Sequence, residues 1–210
     1  MILIGQYDSP FVRRVAIALR LYDLAFEHRP WSTFGDADLI APFNPLRRVP
    51  TLVFEDGEVL IESTAILDYL DEIAGPEQAL IADSGSERRQ ALRICALATG
   101  LADKAVSLVY ERVLRRDPSK LWVERCVAQI GGVLEVLESE RGAVATPYWF
   151  GERIGHADIA VACAVRFVRE AHPGLFDPAR WPALNRHAAT CEALDTFQRI
   201  AQPLIPPKRG

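Results

Sequence analysis

The feature that most constrains the fold is a change of pattern near residue 75. Over residues 1–75, short apolar runs rich in β-branched residues alternate with segments of helical periodicity, whereas the pattern after residue 87 is helical throughout. The first part gives the order β-α-β-α-β-β-α, with part of the sheet paired in parallel across helices and a tight turn at residues 55–58 joining an antiparallel pair. We therefore predict an α/β domain at residues 1–75, a linker at residues 76–86 and an all-helical domain at residues 87–210.

Charge argues against two classes of partner. Residues 1–75 hold six basic and twelve acidic side chains, and residues 76–210 hold 18 and 16. Neither part forms a basic platform, so we expect no nucleic-acid partner. The uncharged run at residues 1–7 is far shorter than the roughly 20 apolar residues of a membrane span. No basic segment precedes it, so we expect no secretory signal either.

The cysteines and histidines are spaced in ways that predict neither disulfides nor a metal centre. The four cysteines stand far apart among helix-forming neighbours: Cys95, Cys126, Cys163 and Cys191. This is typical of reduced core thiols in a cytoplasmic protein. The histidines lack the spacing of common metal sites: His28, His156, His172 and His187.

The first candidate for chemistry is Ser9, at the end of the first strand. Ser9 is followed by Pro10, and serine is a favoured N-cap while proline suits the first helical position. The free N–H groups and the positive dipole of a helix start suit an anion, and a hydroxyl there can donate a hydrogen bond to a thiolate. A plain N-cap explains the same residue. The helix that follows places Arg13 and Arg14 off its apolar stripe.

Two further candidates lie at the second and third turns. Val49 precedes Pro50 at the entry to a strand, and a cis bond there would turn the Val49 backbone toward an extended peptide ligand, although trans is the commoner form. Glu62 and Ser63 begin the third helix, where Ser63 and free N–H groups would hold a carboxylate and Glu62 an ammonium. Together they form a plausible receptor for an amino-acid head group, and an ordinary helix cap with a neighbouring acid fits equally well.

These motifs, in this order and at these separations, resemble glutathione S-transferases over nearly the whole chain. The matching strings are SPFVRRV at residues 9–15, NPLRRVPTL at 44–52, ESTAI at 62–66 and ADIA at 157–160. Residues 1–75 resemble the thioredoxin-like domain of that family and residues 87–210 its helical domain. The sequence is most similar to bacterial serine-type members.

The resemblance implies a role for each motif residue. The Ser9 hydroxyl would bond the glutathione sulfur, the Val49 backbone would pair with the cysteinyl part, and Pro50 would be the cis-proline. Glu62 and Ser63 would hold the γ-glutamyl head group. Arg48 stands where related proteins often have a lysine that contacts the glycine end, and arginine suits a carboxylate. Asp158 matches the acid of a capping box that supports folding.

Several positions depart from the family pattern or leave alternatives open. Arg47 replaces a small residue and either adds a cation near the glycine carboxylate or points to water. Gly155 replaces the Ser or Thr that starts the capping box, which weakens the cap by only a few tenths of a kcal/mol. Tyr7 competes with Ser9 as the sulfur ligand, although we expect it to pack between the domains. Asp103 matches an acid that, in similar proteins, reaches the partner subunit's glutathione.

The function implied is that of a transferase that activates the glutathione thiol for attack on a small, hydrophobic electrophile. With no cysteine near residue 9, a thioredoxin-type dithiol mechanism is excluded, and neither a metal nor an organic prosthetic group is required. Candidates for the apolar wall of the electrophile pocket, with core packing as the alternative for each, are Phe11, Phe34, Tyr110 and Trp122. The family predicts a cytoplasmic homodimer with a role in detoxification. The alternative function is a non-catalytic binding or regulatory module of the same fold.

Overall fold

The computed structural model describes residues 1–207 and contains a four-stranded mixed sheet followed by helices. The sheet part consists of β1 (Ile2–Ile4), α1 (Pro10–Leu21), β2 (Glu27–Arg29), α2 (Ala37–Ile40), β3 (Thr51–Val53), β4 (Val59–Ile61) and α3 (Ser63–Ala74). The predicted order β-α-β-α-β-β-α is therefore confirmed. In space the strands lie in the order β2-β1-β3-β4.

Strand pairing follows from the connections. The helical crossover α1 makes β1 and β2 parallel, with Ile2 opposite Glu27. β1 and β3 are antiparallel, with Ile4 opposite Thr51, and the tight turn makes β3 and β4 antiparallel. The carboxyl end of β1 and the amino end of β3 therefore lie side by side at one end of the sheet. The loop that carries Ser9 and the loop that carries Val49 meet there.

The second part of the chain is helical, as predicted. Its helices are α4 (Gly85–Leu114), α5 (Lys120–Gly142), α6 (His156–Ala171), α7 (Pro182–Glu192) and α8 (Asp195–Arg199), with a short 3₁₀ turn at Pro173–Leu175. The division at residues 75 and 87 stays a prediction, and residues 208–210 of the proposed helical domain lie outside the described residues. None of the helices within residues 1–207 is both long and apolar enough to cross a lipid bilayer.

One hydrophobic core joins the two parts. Leu3 and Val12 of the sheet part share a buried cluster with Ile159 of α6 and Phe197 of α8. Helix α1 packs against α3 on one side and against α6 and α8 on the other. A second cluster fills the space between α4, α5, α6 and α7.

This double packing places two arginines of α1 in the core rather than on a polar face. Arg13 and Arg14 expose only 2% and 4% of their surface. The Arg13 guanidinium donates to a Glu192 carboxylate oxygen at 2.7 Å, to the Phe197 carbonyl at 3.0 Å and to the Ile200 carbonyl at 2.8 Å. The apolar periodicity of α1 predicts one buried face. The helix has a second buried face, on which Arg13 is stabilised by its ion pair with Glu192.

The start of α6 explains why Gly155 replaces the usual hydroxyl residue. The Asp158 carboxylate accepts hydrogen bonds from the Gly155 N–H at 2.9 Å and from the Trp149 N–H at 2.8 Å, so the acid implied by the resemblance caps the helix. Glycine has no side chain to complete the capping box. A Cβ atom at Gly155 would lie 2.8 Å from the Leu80 carbonyl oxygen, which leaves no room for serine.

Candidate functional site

A cavity of about 760 Å³ lies where the sheet edge meets the helical part. Its walls come from the β1–α1 loop, the loops before α2 and β3, helices α4 and α6, and the chain after α8. Ligand pockets typically have volumes of about 300–1,000 Å³, so the cavity has room for a small peptide and a second molecule.

Ser9 lies in this cavity and is the N-cap of α1. Its hydroxyl oxygen accepts a hydrogen bond from the Val12 N–H at a long 3.4 Å. A serine hydroxyl that accepts in this way keeps its O–H free to donate. The N-cap interpretation is therefore confirmed, and it leaves the chemical role open, because capping uses only an acceptor lone pair.

Tyr7 is placed differently from Ser9. Its ring stacks on the His28 ring with centroids 3.8 Å apart and planes within 3°. Among the described residues that line the cavity, Gln6, Asp8 and Ser9 are present and Tyr7 is not. Burial also raises the pKa of the Tyr7 phenol, which makes it a weaker acid. The geometry favours Ser9 as the residue that contacts a ligand sulfur.

The loop before β3 presents the Val49 backbone. The Val49–Pro50 bond is cis. Asn44 organises the loop, since its side-chain amide donates to the Arg48 carbonyl at 2.9 Å and its Oδ1 accepts from the Leu46 N–H at 3.0 Å. Within residues 1–207 the Val49 N–H and C=O have no backbone partner, so both are available to an extended ligand.

Arg48 and Glu62 lie beside each other. Arg48 Nη1 is 3.5 Å from Glu62 Oε1, and both side chains are more than half exposed. The sequence analysis assigns these two residues to opposite ends of a tripeptide. In the structure their ion pair places Arg48 close to the start of α3. An incoming carboxylate and ammonium would exchange with this pair at little cost, because exposed ion pairs are weak.

Ser63, the residue after Glu62, is buried, and neither of the two is among the described residues that line the cavity. Only 3% of its surface is exposed, and Arg14 Nη1 donates to its hydroxyl at 3.5 Å. Glu62, just before α3, has φ of 69°, a conformation that is uncommon for a residue other than glycine. Such strain is typical of functional sites, where the surrounding structure compensates for it.

Two charged residues with open roles also border the cavity. Arg47 has φ of 51° and pairs with Asp38 at 3.2 Å, with its side chain about half exposed. Asp103 of α4 pairs with Lys104 at 2.9 Å.

Three of the four aromatic candidates line the cavity. Phe11, Phe34 and Tyr110 are among its residues. The Phe34 and Tyr110 rings meet edge to face with their centroids 5.1 Å apart, and this contact joins α4 to the loop before α2. Trp122 is not among the described residues of the cavity wall. It lies in the first turn of α5, is 36% exposed, and has its ring centroid 5.8 Å from the Lys104 ammonium.

The protein's own thiols are unsuited to act as nucleophiles. All four cysteines are buried, as predicted, and among the described residues none lines the cavity. Burial raises the pKa of the Cys95 and Cys163 thiols to about 11. A thiolate at this site would therefore come from a ligand. Within residues 1–207 no group of three or more metal-ligating side chains comes together.

Three features of the site were not predicted from the sequence. Gly5 lies under Val49, with φ of 129°. Asp8 faces the cavity beside Ser9, and residues 204–207 form part of its wall. The sequence contains an acid next to Ser9 and several prolines after residue 202. Neither feature predicts that the end of the chain lies against the cavity.

Two family models match the chain. A glutathione S-transferase N-terminal domain model matches residues 3–78, and a glutathione S-transferase C-terminal domain model matches residues 121–190. An uncharacterized GST-like protein, YibF, of Escherichia coli is 32% identical, with 83% of this chain and 86% of that protein covered. A probable maleylacetoacetate isomerase of Vibrio cholerae is 30% identical, with 96% and 95% covered.

Solved structures show the same likeness in three dimensions. A glutathione S-transferase of Methylobacterium radiotolerans in complex with glutathione sulfonate is 29% identical, with a TM-score of 0.87 and 97% of both chains covered. A glutathione S-transferase of Methylobacillus flagellatus with bound glutathione is 27% identical, with a TM-score of 0.86 and coverage of 97% of this chain and 99% of that one.

Proposed function

The chain belongs to the glutathione S-transferase family, and on that premise we propose that Ser9 activates the thiol of bound glutathione for attack on an electrophile. The chain is a glutathione-dependent enzyme with the thioredoxin-like and helical domains of that family. The single observation that carries the proposal is the position of Ser9: its hydroxyl faces the cavity at the start of α1 with its O–H free to donate.

The energetics of this activation are sufficient without a metal. Lowering the pKa of a free thiol from about 8.5 to about 6.5 requires about 2.7 kcal/mol of preference for the anion. A hydroxyl hydrogen bond to a charged group supplies about 1.5–3 kcal/mol. The start of α1 adds about 0.3–1 kcal/mol, because its dipole is positive there.

We assign the remaining glutathione contacts from the family pattern, matched to the positions of these residues in the fold. The free backbone groups of Val49 pair with the cysteinyl part of the tripeptide, beside the cis bond to Pro50. Ser63 and the α3 N–H groups hold the γ-glutamyl carboxylate, and Glu62 holds its ammonium. Arg48 binds the glycine carboxylate through its guanidinium, which must leave Glu62 to do so.

The reaction follows from the thiolate. Its sulfur lone pair forms a carbon–sulfur bond with an electrophilic carbon, and a leaving group such as a halide departs with the electrons of the broken bond. Phe11, Phe34 and Tyr110 provide the apolar wall against which the electrophile lies. We further propose that the protein is a cytoplasmic homodimer. Its four buried, unpaired cysteines support a reducing compartment. The acidic first domain and the slightly basic second domain suit a dimer in which the first domain of one subunit meets the second domain of the other.

The test compares wild type with Ser9→Ala and Ser9→Thr. We expect glutathione to bind all three proteins within about threefold of the same Kd. The thiolate absorbance of the bound tripeptide should titrate more than one pH unit higher in Ser9→Ala, and turnover of an aryl halide should fall at least tenfold. Ser9→Thr keeps a hydroxyl and should retain most of both.

Two outcomes contradict the proposal. If Ser9→Ala leaves both the thiol pKa and turnover unchanged, another donor activates the thiol. If wild type binds glutathione tightly and turns over none of a panel of aryl halides, epoxides, activated alkenes and peroxides, the chain is the non-catalytic binding module.

A further inference from the structure

The chain after α8 is fastened across the cavity as an irregular strap. Residues 200–207, called the strap below, form neither helix nor strand. The Ile200 carbonyl accepts from Arg13, the Gln202 side-chain oxygen accepts from the Tyr7 N–H at 3.2 Å, and the Leu204 N–H donates to Glu170 Oε2 at 3.0 Å. The strap is therefore held by the β1–α1 loop, by α1 and by α6.

Asp8, next to Ser9 in the sequence, accepts a further hydrogen bond from the strap. Its Oδ2 accepts the Ile205 N–H at 2.9 Å. Asp8 immediately precedes Ser9, and the two residues line the same cavity as Leu204 and Ile205. Leu204 packs against the core of the helical part, and Ile205 is 56% exposed. The side chains beside this bond thus form an apolar wall close to Ser9.

We propose that Asp8 is a positioning residue that holds Leu204 and Ile205 in place as the outer wall of the electrophile pocket, and thereby determines which electrophiles the enzyme accepts. The inference rests on the proposed function, since it assigns the selectivity of that site. Asp8 touches neither the thiol nor the electrophile in this role and acts only through the strap.

The chemistry of the bond suits this role. An irregular segment loses conformational entropy at every residue it orders, so each fastening must offset that loss. A hydrogen bond to a carboxylate is roughly twice as strong as one between neutral groups. A carboxylate beside a thiolate would otherwise be unfavourable, because like charges repel. The hydrogen bond to the Ile205 N–H therefore explains why an acid stands at a position where its negative charge disfavours a thiolate.

The test removes the acceptor and the donor separately. Asp8→Ala removes the carboxylate, and Asp8→Asn keeps an acceptor oxygen without the charge. Ile205→Pro removes the N–H together with the side chain, and Ile205→Ala, which removes the side chain and keeps the N–H, is its control. For each variant, kcat/KM is measured with a bulky apolar aryl halide and with a small alkyl halide. We expect the ratio of the two to fall about five- to tenfold in Asp8→Ala and in Ile205→Pro, with no further fall in the double variant.

Two comparisons make the result specific. Asp8→Asn should restore most of the ratio if the hydrogen bond matters, whereas it should behave like Asp8→Ala if the charge itself selects the electrophile. Arg199→Ala, which removes an exposed pair with Asp195 just before the strap, should leave the ratio unchanged. The KM for glutathione should stay at the wild-type value in all of these variants. The thiol pKa should stay there in Ile205→Pro and Arg199→Ala, which keep the Asp8 charge.

Hydrogen–deuterium exchange supplies a readout that does not depend on catalysis. The amides of the non-proline residues in the strap should exchange at least fivefold faster in Asp8→Ala than in wild type. They are those of Ile200, Ala201, Gln202, Leu204 and Ile205. Unchanged exchange together with an unchanged electrophile ratio overturns the proposal, and so does a ratio that falls equally in Asp8→Asn. If wild type turns over no electrophile at all, the proposed function fails and the selectivity claim fails with it, while faster exchange still establishes the tether.

Discussion

Gly5 and Val49 approach so closely that a Cβ atom at Gly5 would lie 2.7 Å from the Val49 Cβ. The same atom would lie 2.5 Å from a methyl carbon of Val12, and Gly5 has φ of 129°. The end of β1, the start of α1 and the loop that presents the Val49 backbone therefore meet at a glycine. This contact therefore sets how closely the Val49 loop approaches the start of α1.

Gly5→Ala should consequently weaken glutathione binding as well as stability. The added methyl group has no room and the backbone is strained, so we expect a loss of about 2 kcal/mol in the free energy of unfolding. We also expect the Kd for glutathione to rise at least tenfold. Gly132→Ala, at an open position on α5, is the control and should be neutral or stabilising. Wild-type affinity in Gly5→Ala would show that the loop position does not depend on this contact.

Arg48→Ala should separate binding from folding. The Arg48–Glu62 pair is exposed and 3.5 Å long, so its loss should change the free energy of unfolding by less than about 0.5 kcal/mol. The KM for glutathione should rise about tenfold while kcat changes little, because the lost contact serves ground state and transition state alike. Steady-state kinetics and chemical denaturation measure the two quantities. A fall in kcat at unchanged KM would contradict the assignment of Arg48.

Gly155→Ser tests the start of α6 against the family pattern. Serine would complete the capping box with Asp158, which by itself stabilises a helix. The Leu80 carbonyl at 2.8 Å from a Cβ atom should outweigh that gain, because backbone cannot move aside cheaply. We expect the variant to unfold at least 1 kcal/mol more easily than wild type in urea. A more stable variant would mean that the linker around Leu80 yields.

His187 should make stability depend on pH. The ring is buried, its Nδ1 accepts from Arg141 Nε at 3.1 Å, and burial together with the Arg141 charge lowers the pKa of His187 from 6.5 to about 4. Between those values the unfolded chain binds a proton that the folded protein does not. The contribution of His187 is therefore complete above pH 6.5 and is lost as pH falls toward 4, by at most about 3 kcal/mol.

The comparison with His187→Gln separates this effect from that of Asp158. Burial raises the pKa of Asp158 to about 6, so its contribution changes in the opposite direction over part of the same range. Glutamine offers Arg141 an acceptor and does not titrate. Denaturation from pH 7 to pH 4 should show the variant gaining stability relative to wild type. Parallel profiles would show that His187 binds its proton in the folded protein as readily as in the unfolded chain.

The local signals in the sequence were accurate where a residue's role depends on its neighbours along the chain. Ser9 and Pro10 predicted the start of α1, and α1 begins there. The turn at residues 55–58 predicted an antiparallel pair, and β3 and β4 form it. These predictions succeed because caps and turns are satisfied within a few residues.

Arg13 shows the limit of such signals. Its position off the apolar stripe of α1 is real, but it is buried because α8 and the chain after it lie against that side of the helix. Trp122 shows the same limit in reverse, since its aromatic character predicts a place in the pocket wall or in the core, and its ring lies partly exposed beside Lys104. Packing between distant segments decided both.

The sequence by itself determined the order of strands and helices in residues 1–75, the starts of α1 and α3 and the set of motifs that identify the family, because each of these depends on short-range backbone and side-chain chemistry. Only the tertiary structure decided which distant residues meet: it brought Val49 over Gly5, set Arg48 beside Glu62 and laid Ile205 against Asp8, 197 positions apart in the chain. The physical reason is that such contacts are selected by the packing of the whole core, whose free energy is shared among many residues, and no single segment encodes it.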